Sequence, residues 1–176
     1  MRVISGSLGG RVFDAPSSSK IHPMADKVRG SIFSSLGDIS GLTVCDAYSG
    51  SGALAIEAIS RGAKAVVAIE SDHRAAKTIQ TNLMTLGIKD SAKVIEQKIE
   101  VWLSYSADKF DVLLADPPYD HLPKDSTLAD LASRLNKGGV MVLSWPGRHE
   151  LPQLSGLTKL KTKSFNDASV GYYRKD

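Results

Sequence analysis

From Leu42 onward the hydrophobic residues alternate between two patterns. Short runs that are apolar almost throughout, at 43–47, 65–69, 92–95, 112–115 and 140–144, predict buried strands. Between them, apolar residues recur at helical spacing. The predicted helices span 53–61, ending before Gly62; a segment capped by Asp72 with Ala76, Ile79, Leu83 and Leu86 on one face, ending at Gly87; 99–103; and 128–135, ahead of Gly138-Gly139. Upstream, 2–4 and 11–13 flank a glycine-rich turn and predict a hairpin, and 15–19 reads as a loop. From Asp26, the positions Val28, Ile32, Phe33 and Leu36 share a helix face that stops at Gly37. The tail, at 157–165 and 169–174, predicts a second hairpin.

Repeated strand–helix units with apolar strands predict an α/β domain whose mostly parallel sheet is covered on both faces. Ligands of such sheets bind beyond the carboxyl ends of the strands, so the residues there are the candidates for chemistry. The first strand runs into Asp46-Ala47-Tyr48-Ser49-Gly50-Ser51-Gly52-Ala53. Its glycines let backbone approach a ligand at a helix start, where free N–H groups gather. The second strand ends in Glu70, a carboxylate placed to accept hydrogen bonds from both hydroxyls of a ribose. Together these suit an adenosine-containing ligand. The segment from Gly50 also satisfies the dinucleotide fingerprint with Ala in the third position. Asp46 argues against a dinucleotide: a carboxylate at the strand tip repels a pyrophosphate but can hold the ammonium of an amino-acid moiety.

Asp116-Pro117-Pro118-Tyr119 follows the fourth apolar strand. Two prolines stiffen the turn and remove two backbone donors while leaving the carbonyls. The Asp116 carboxylate and Pro117 carbonyl thus present two acceptors to one –NH2 group. An exocyclic amine of a nucleobase is a poor nucleophile because its lone pair is delocalised into the ring. Two fixed acceptors favour its pyramidalisation and aim the lone pair, which is catalysis by positioning and electrostatics. Tyr119 offers an aromatic face for the base.

These segments resemble motif I (46–52) and the amino-methylating motif IV (116–119) of the class I S-adenosylmethionine-dependent methyltransferases. More narrowly, the chain resembles the bacterial 16S rRNA guanine-N2 methyltransferases of the RsmD family. The similarity includes Arg2-Val3-Ile4-Ser5-Gly6, Leu8-Gly9-Gly10-Arg11, the stretch 22–29 and Glu57-Ala58-Ile59-Ser60-Arg61-Gly62-Ala63, and weakens after Ser144. It implies a Rossmann-like three-layer sandwich with a C-terminal antiparallel hairpin. Residues 1–176 would then be a single methyltransferase domain, with 1–37 as an RNA-facing extension. The implied cofactor is S-adenosylmethionine, bound by Asp46, Ser49, Gly50, Gly52, Glu70 and Ser71, with Pro23, Met24 and Ala25 near its methionine end. Asp116, Pro117, Pro118 and Tyr119 would hold the base. Where the family carries an Asp for the adenine amino group, this chain has Lys98, which leaves the adenine to be read by backbone groups or by Gln97. Arg2, Arg11, Lys20, His22, Lys27 and Arg29 would meet RNA phosphates.

A length of 176 residues, 42% hydrophobic and 23% charged, is that of one globular domain, and a net charge of +3 permits a polyanionic partner without demanding one. Cys45 sits in an apolar run and, as a lone cysteine, supports neither an internal disulfide nor a cysteine metal site. With no signal peptide or membrane-length apolar run, the expectation is a cytoplasmic, metal-free monomer acting on 16S rRNA of the small subunit. An adenine-N6 or cytosine-N4 DNA methyltransferase shares the –NH2 chemistry and is the alternative. A Rossmann-type NAD-binding protein or a non-catalytic RNA-binding protein is the alternative from another class.

Overall fold

A computed structural model describes residues 1–16 and 24–176. Five α-helices and seven β-strands run in the order α1 (Asp26–Leu36), β1 (Thr43–Asp46), α2 (Ala53–Ser60), β2 (Ala65–Glu70), α3 (His73–Thr85), β3 (Ala92–Glu96), α4 (Ile99–Tyr105), β4 (Phe110–Ala115), α5 (Asp125–Ser133), β5 (Leu135–Pro146), β6 (Leu157–Ser164) and β7 (Ala168–Lys175). The strands form one seven-stranded sheet in the order β3-β2-β1-β4-β5-β7-β6. β1 to β5 are parallel, and β7 pairs antiparallel to both β5 and β6. This is the class I methyltransferase architecture. The doubly wound dinucleotide fold orders its six strands 3-2-1-4-5-6 instead, without the inserted antiparallel strand.

One face of the sheet packs Val44, Val66, Ala68, Val112, Leu114 and Val142 beneath α1, α2 and α3. The other packs Cys45, Ile69, Leu113, Met141 and Leu143 against α4 and α5, with Trp102 at its centre. Alternate strand positions serve opposite layers, so nearly every side chain of β4 and the second half of β5 is apolar, as are Val44 and Cys45 in the middle of β1.

The predicted helices and the strands from β1 onward are present, with corrections at α5, at Gly138-Gly139 and in the N-terminal hairpin. α5 starts three residues before the predicted 128 and ends at Ser133, and Leu135 already belongs to β5. Gly138 and Gly139, read as a break, lie inside that strand at a register shift between Phe110 and Val112 of its partner. Gly139 packs against backbone there: a Cβ on it would stand 2.9 Å from the Asn136 carbonyl oxygen and 3.0 Å from that of Asp111. The N-terminal hairpin is reduced to one bridge, Arg2 with Val12, supported by backbone bonds between Val3 and both Gly10 and Arg11.

This N-terminal arm is held by α2. The buried Glu57 carboxylate accepts from the Ile4 and Ser5 amides at 2.8 and 3.1 Å and from Arg61 Nε at 2.7 Å. Ser60 Oγ donates to the Ser5 carbonyl at 2.5 Å and accepts from the Leu8 amide. Asn82 of α3 pairs both ends of its amide with the Asp14 backbone. Among the described residues, no helix is long and apolar enough to cross a membrane.

Candidate active site

Strands β1 and β4 are neighbours, and the Ala47 amide donates to the Leu114 carbonyl at 2.9 Å, so their tips open side by side. The β1 tip carries Asp46, fully buried. Its Oδ2 accepts from the Ala55 amide in the first turn of α2 at 3.1 Å, whereas its Oδ1 is buried without a hydrogen-bond partner. Burial, reinforced by the nearby Asp116 charge, pushes the Asp46 carboxyl up to about 7. A carboxylate held there, half satisfied, has room for one cationic donor.

The turn after Asp46 is set by glycine. Gly50 and Gly52 have φ of 51° and 75°, and a Cβ on Gly52 would stand 2.9 Å from Ile79 Cγ1. The Ser49 side chain closes the turn by donating to the Asp46 carbonyl. Glu70, at the tip of β2, holds the turn from the side. Its Oε2 accepts from the Gly50 amide and its Oε1 from the Asp72 amide, both at 2.7 Å. Each oxygen keeps a second lone pair for a hydroxyl donor. Asp72 in turn caps α3 by accepting from the Ala75 amide at 2.9 Å.

Ser71 is exposed beside Glu70. At the tip of β3, Gln97 is bound through its backbone amide to the Glu70 carbonyl at 3.0 Å, and its Oε1 accepts from Tyr105 at 2.5 Å. Its amide nitrogen has no partner among these bonds. Lys98 is exposed at the start of α4. These tips of β1, β2 and β3 line one rim of the sheet.

The β4 tip carries the acceptor segment. Pro117 is buried; Pro118 is exposed, and its carbonyl accepts from the His121 amide at 3.1 Å. Burial pushes the Asp116 carboxyl up to about 6, against the opposing influence of a hydrogen bond from Ser144. Tyr119 Oη lies 2.7 Å from Ser144 Oγ. Ser144, buried on β5, thus serves both Asp116 and Tyr119. Sequence reasoning passed over Ser144, because the signal is the cross-strand register that sets Ala115 beside Leu143.

The residues expected to meet RNA divide. Arg2 and Lys27 are exposed and line an open hollow of about 470 Å³ with Val3, Ile4, Gly10 and Asp26. Arg11 is exposed but its guanidinium caps α3, donating to the Leu86 and Thr85 carbonyls. Arg29 is a correction: it is fully buried, donating to the Arg2 carbonyl at 2.7 Å and to Asp26 at 2.9 Å, with Glu57 at 3.9 Å. Its charge organises the arm and does not face solvent. Met24 packs partly buried against the core, and Ala25 is exposed at the start of α1. Lys20, His22, Pro23 and most of the expected loop lie outside the described residues.

Residues 1–174 match the family model described as Conserved hypothetical protein 95. YlbH of Bacillus subtilis strain 168, named as a candidate rRNA methyltransferase, is 34% identical over 99% of both chains. Ribosomal RNA small subunit methyltransferase D of Escherichia coli K12 is 32% identical over 68% of this chain and 60% of its own length. Among solved structures, the Escherichia coli protein yhhF, named as a candidate methyltransferase, superposes with a TM-score of 0.90 at 24% identity, covering 100% of this chain and 98% of that one.

Proposed function

The chain belongs to the Conserved hypothetical protein 95 family, with the small-subunit rRNA methyltransferases D among its relatives, and on that footing we propose that it methylates the exocyclic N2 of a guanine in 16S rRNA, using S-adenosylmethionine. The observation that carries this reading is the juxtaposition of the Asp46 and Asp116 tips on adjacent strands.

The cofactor site is tested by Asp46. A fully buried carboxylate with an unpartnered oxygen matches an α-ammonium group, and a pyrophosphate would be repelled there. Asp46 holds the ammonium, the backbone at Gly50 and Gly52 lies along the cofactor, and the spare lone pairs of Glu70 take the ribose hydroxyls. Gln97, with its free amide nitrogen, is the side chain nearest in kind to an adenine reader. Bound there, S-adenosylmethionine supplies an electrophilic methyl group on a sulfonium.

The chain's own work is done at β4. Ionised Asp116 and the Pro117 carbonyl accept from the two hydrogens of the guanine –NH2 and turn its lone pair out of conjugation. Tyr119, fixed through Ser144, lies along the base. With its carboxyl raised to about 6, Asp116 is charged at neutral pH yet basic enough to take the proton released as the new N–C bond forms.

Mass spectrometry of 16S rRNA from cells with and without the gene tests the proposal. Loss of one N2-methylguanine is expected, and unchanged 16S rRNA with a missing N6-methyladenine in DNA would replace it with the DNA reading.

A further inference from the structure

Three lysines lie along one side of α1. Lys27 is its second residue, and Ser31 and Ser35 follow at four-residue steps on the same face, about 6 Å apart along the axis. Lys163 of β6 donates to Ser31 Oγ at 3.1 Å. Lys161 of β6 donates to the Ser35 carbonyl at 3.2 Å and lies 4.8 Å over the Tyr172 ring. One cation therefore stands at each successive turn of the seam between α1 and β6. Each lysine ammonium on β6 uses one N–H for α1 and keeps two.

The seam has a direction. β7 is antiparallel to β5 and β6 antiparallel to β7, so β6 runs the same way as β1 and β4. Lys161 precedes Lys163, and the strand ends at the catalytic rim. There Asp167, in the turn to β7, lies close enough to raise the Tyr119 hydroxyl. α1 runs alongside with Lys27 at the same upper end, next to Arg2 and the hollow they line.

The acidic groups lie at the ends of the seam, with Asp167 past Lys163 in the turn to β7. Asp26 is engaged by Arg29, and Asp38 accepts from the Ser40 amide beyond the end of α1. α1 is already held to the sheet by its buried Ile32 and Phe33, and a cation at every turn is the arrangement that follows a polyanion.

We propose that the seam of Lys27, Lys163 and Lys161 is a track for the RNA sugar–phosphate backbone, leading from the outer edge of the sheet to the Asp116–Tyr119 site. It extends the RNA surface from the N-terminal arm to the C-terminal hairpin, and it rests on the rRNA reading above. The contacts are to phosphates, so they hold and orient the substrate without reading sequence.

The test compares the wild type, the triple variant Lys27→Gln/Lys161→Gln/Lys163→Gln and a charge-matched control, Lys64→Gln/Lys89→Gln/Lys93→Gln, at exposed lysines around the far half of the sheet. Undermethylated small subunits and naked 16S rRNA serve as substrates, with methyl transfer measured over a range of salt. The seam variant should raise KM for RNA and flatten the log–log salt dependence of binding by about 2, leaving cofactor Kd unchanged. The control should match the wild type. The corresponding triple Lys→Arg variant should restore the slope, separating charge from any loosening of α1. An unchanged slope in the seam variant, while the wild type methylates normally, would overturn the track alone. A wild type that neither binds nor methylates either substrate would overturn the functional reading beneath it.

Discussion

Tyr119 and Ser144 meet across the end of two adjacent parallel strands, hydroxyl to hydroxyl at 2.7 Å. The contact joins the acceptor turn to β5, whose register with β4 is fixed by core side chains on both sheet faces. The ring proposed to face the base is therefore positioned from the core.

Ser144→Ala should lower kcat about three- to tenfold, the worth of one partly buried hydrogen bond, with cofactor Kd unchanged. Tyr119→Phe should lose no more than that, and the double variant no more than Ser144→Ala alone. Additive losses in this cycle would show that the two hydroxyls act separately.

Asp116→Ala should abolish methyl transfer while cofactor affinity stays within about twofold, because the chemistry is asked of that carboxylate and the binding of others. Calorimetry with S-adenosylmethionine checks this, and an equal loss of binding would mean that Asp116 belongs to the cofactor site.

Glu70→Ala removes a charged acceptor shared by two amides and, in the proposed complex, by the ribose. Cofactor Kd should rise on the order of tenfold to a hundredfold, in line with about 1.5–3 kcal/mol for hydrogen bonds to a charged group. An unchanged Kd would refute the ribose assignment.

Stability without cofactor should depend on pH in an unusual direction. Asp46 and Asp116 have carboxyls raised to about 7 and about 6 in the fold, above the ordinary value near 4. The folded state therefore binds their protons more tightly than the unfolded one. Their contribution is fully present below about pH 4 and is lost as pH rises through about 7. An ammonium group on Asp46 offsets this, so S-adenosylmethionine should raise Tm more at pH 8 than at pH 5.5. Equal shifts at both pH values would remove Asp46 from the cofactor site.

Arg29→Ala should destabilise the protein by about 3–5 kcal/mol by leaving Glu57 buried with less compensation. Chemical denaturation measures this. In the folded variant the salt slope of RNA binding should stay as in the wild type, and a slope lowered by one phosphate would return Arg29 to the RNA surface.

Much of this was legible along the chain. Apolar runs located β1 to β4, Asp72 marked the start of α3, and Asp116 stood out because two prolines follow it. Features that depend on distant partners were not legible. Gly138-Gly139 looks like a break because glycine marks both turns and bulges, and only the approach of the Asp111 carbonyl separates them. Arg29 and Lys27 are two residues apart and equally charged, yet one is buried and the other exposed. That difference comes from Glu57 on another helix, which no local pattern reveals. Lys161 and Lys163 join α1 from the far end of the chain for the same reason.

The insertion of β7 between β5 and β6 sets a timetable for synthesis. Until residues 168–175 have been made, the strand holding Ser144 is an unpaired edge, and Tyr172 and Tyr173 are missing from opposite faces of the core. A nascent chain stalled at β6 would carry every side chain of the two loop tips and still offer Val140–Trp145 as a bare template for another strand. Competence and protection from aggregation thus arrive together, when β7 pairs with β5.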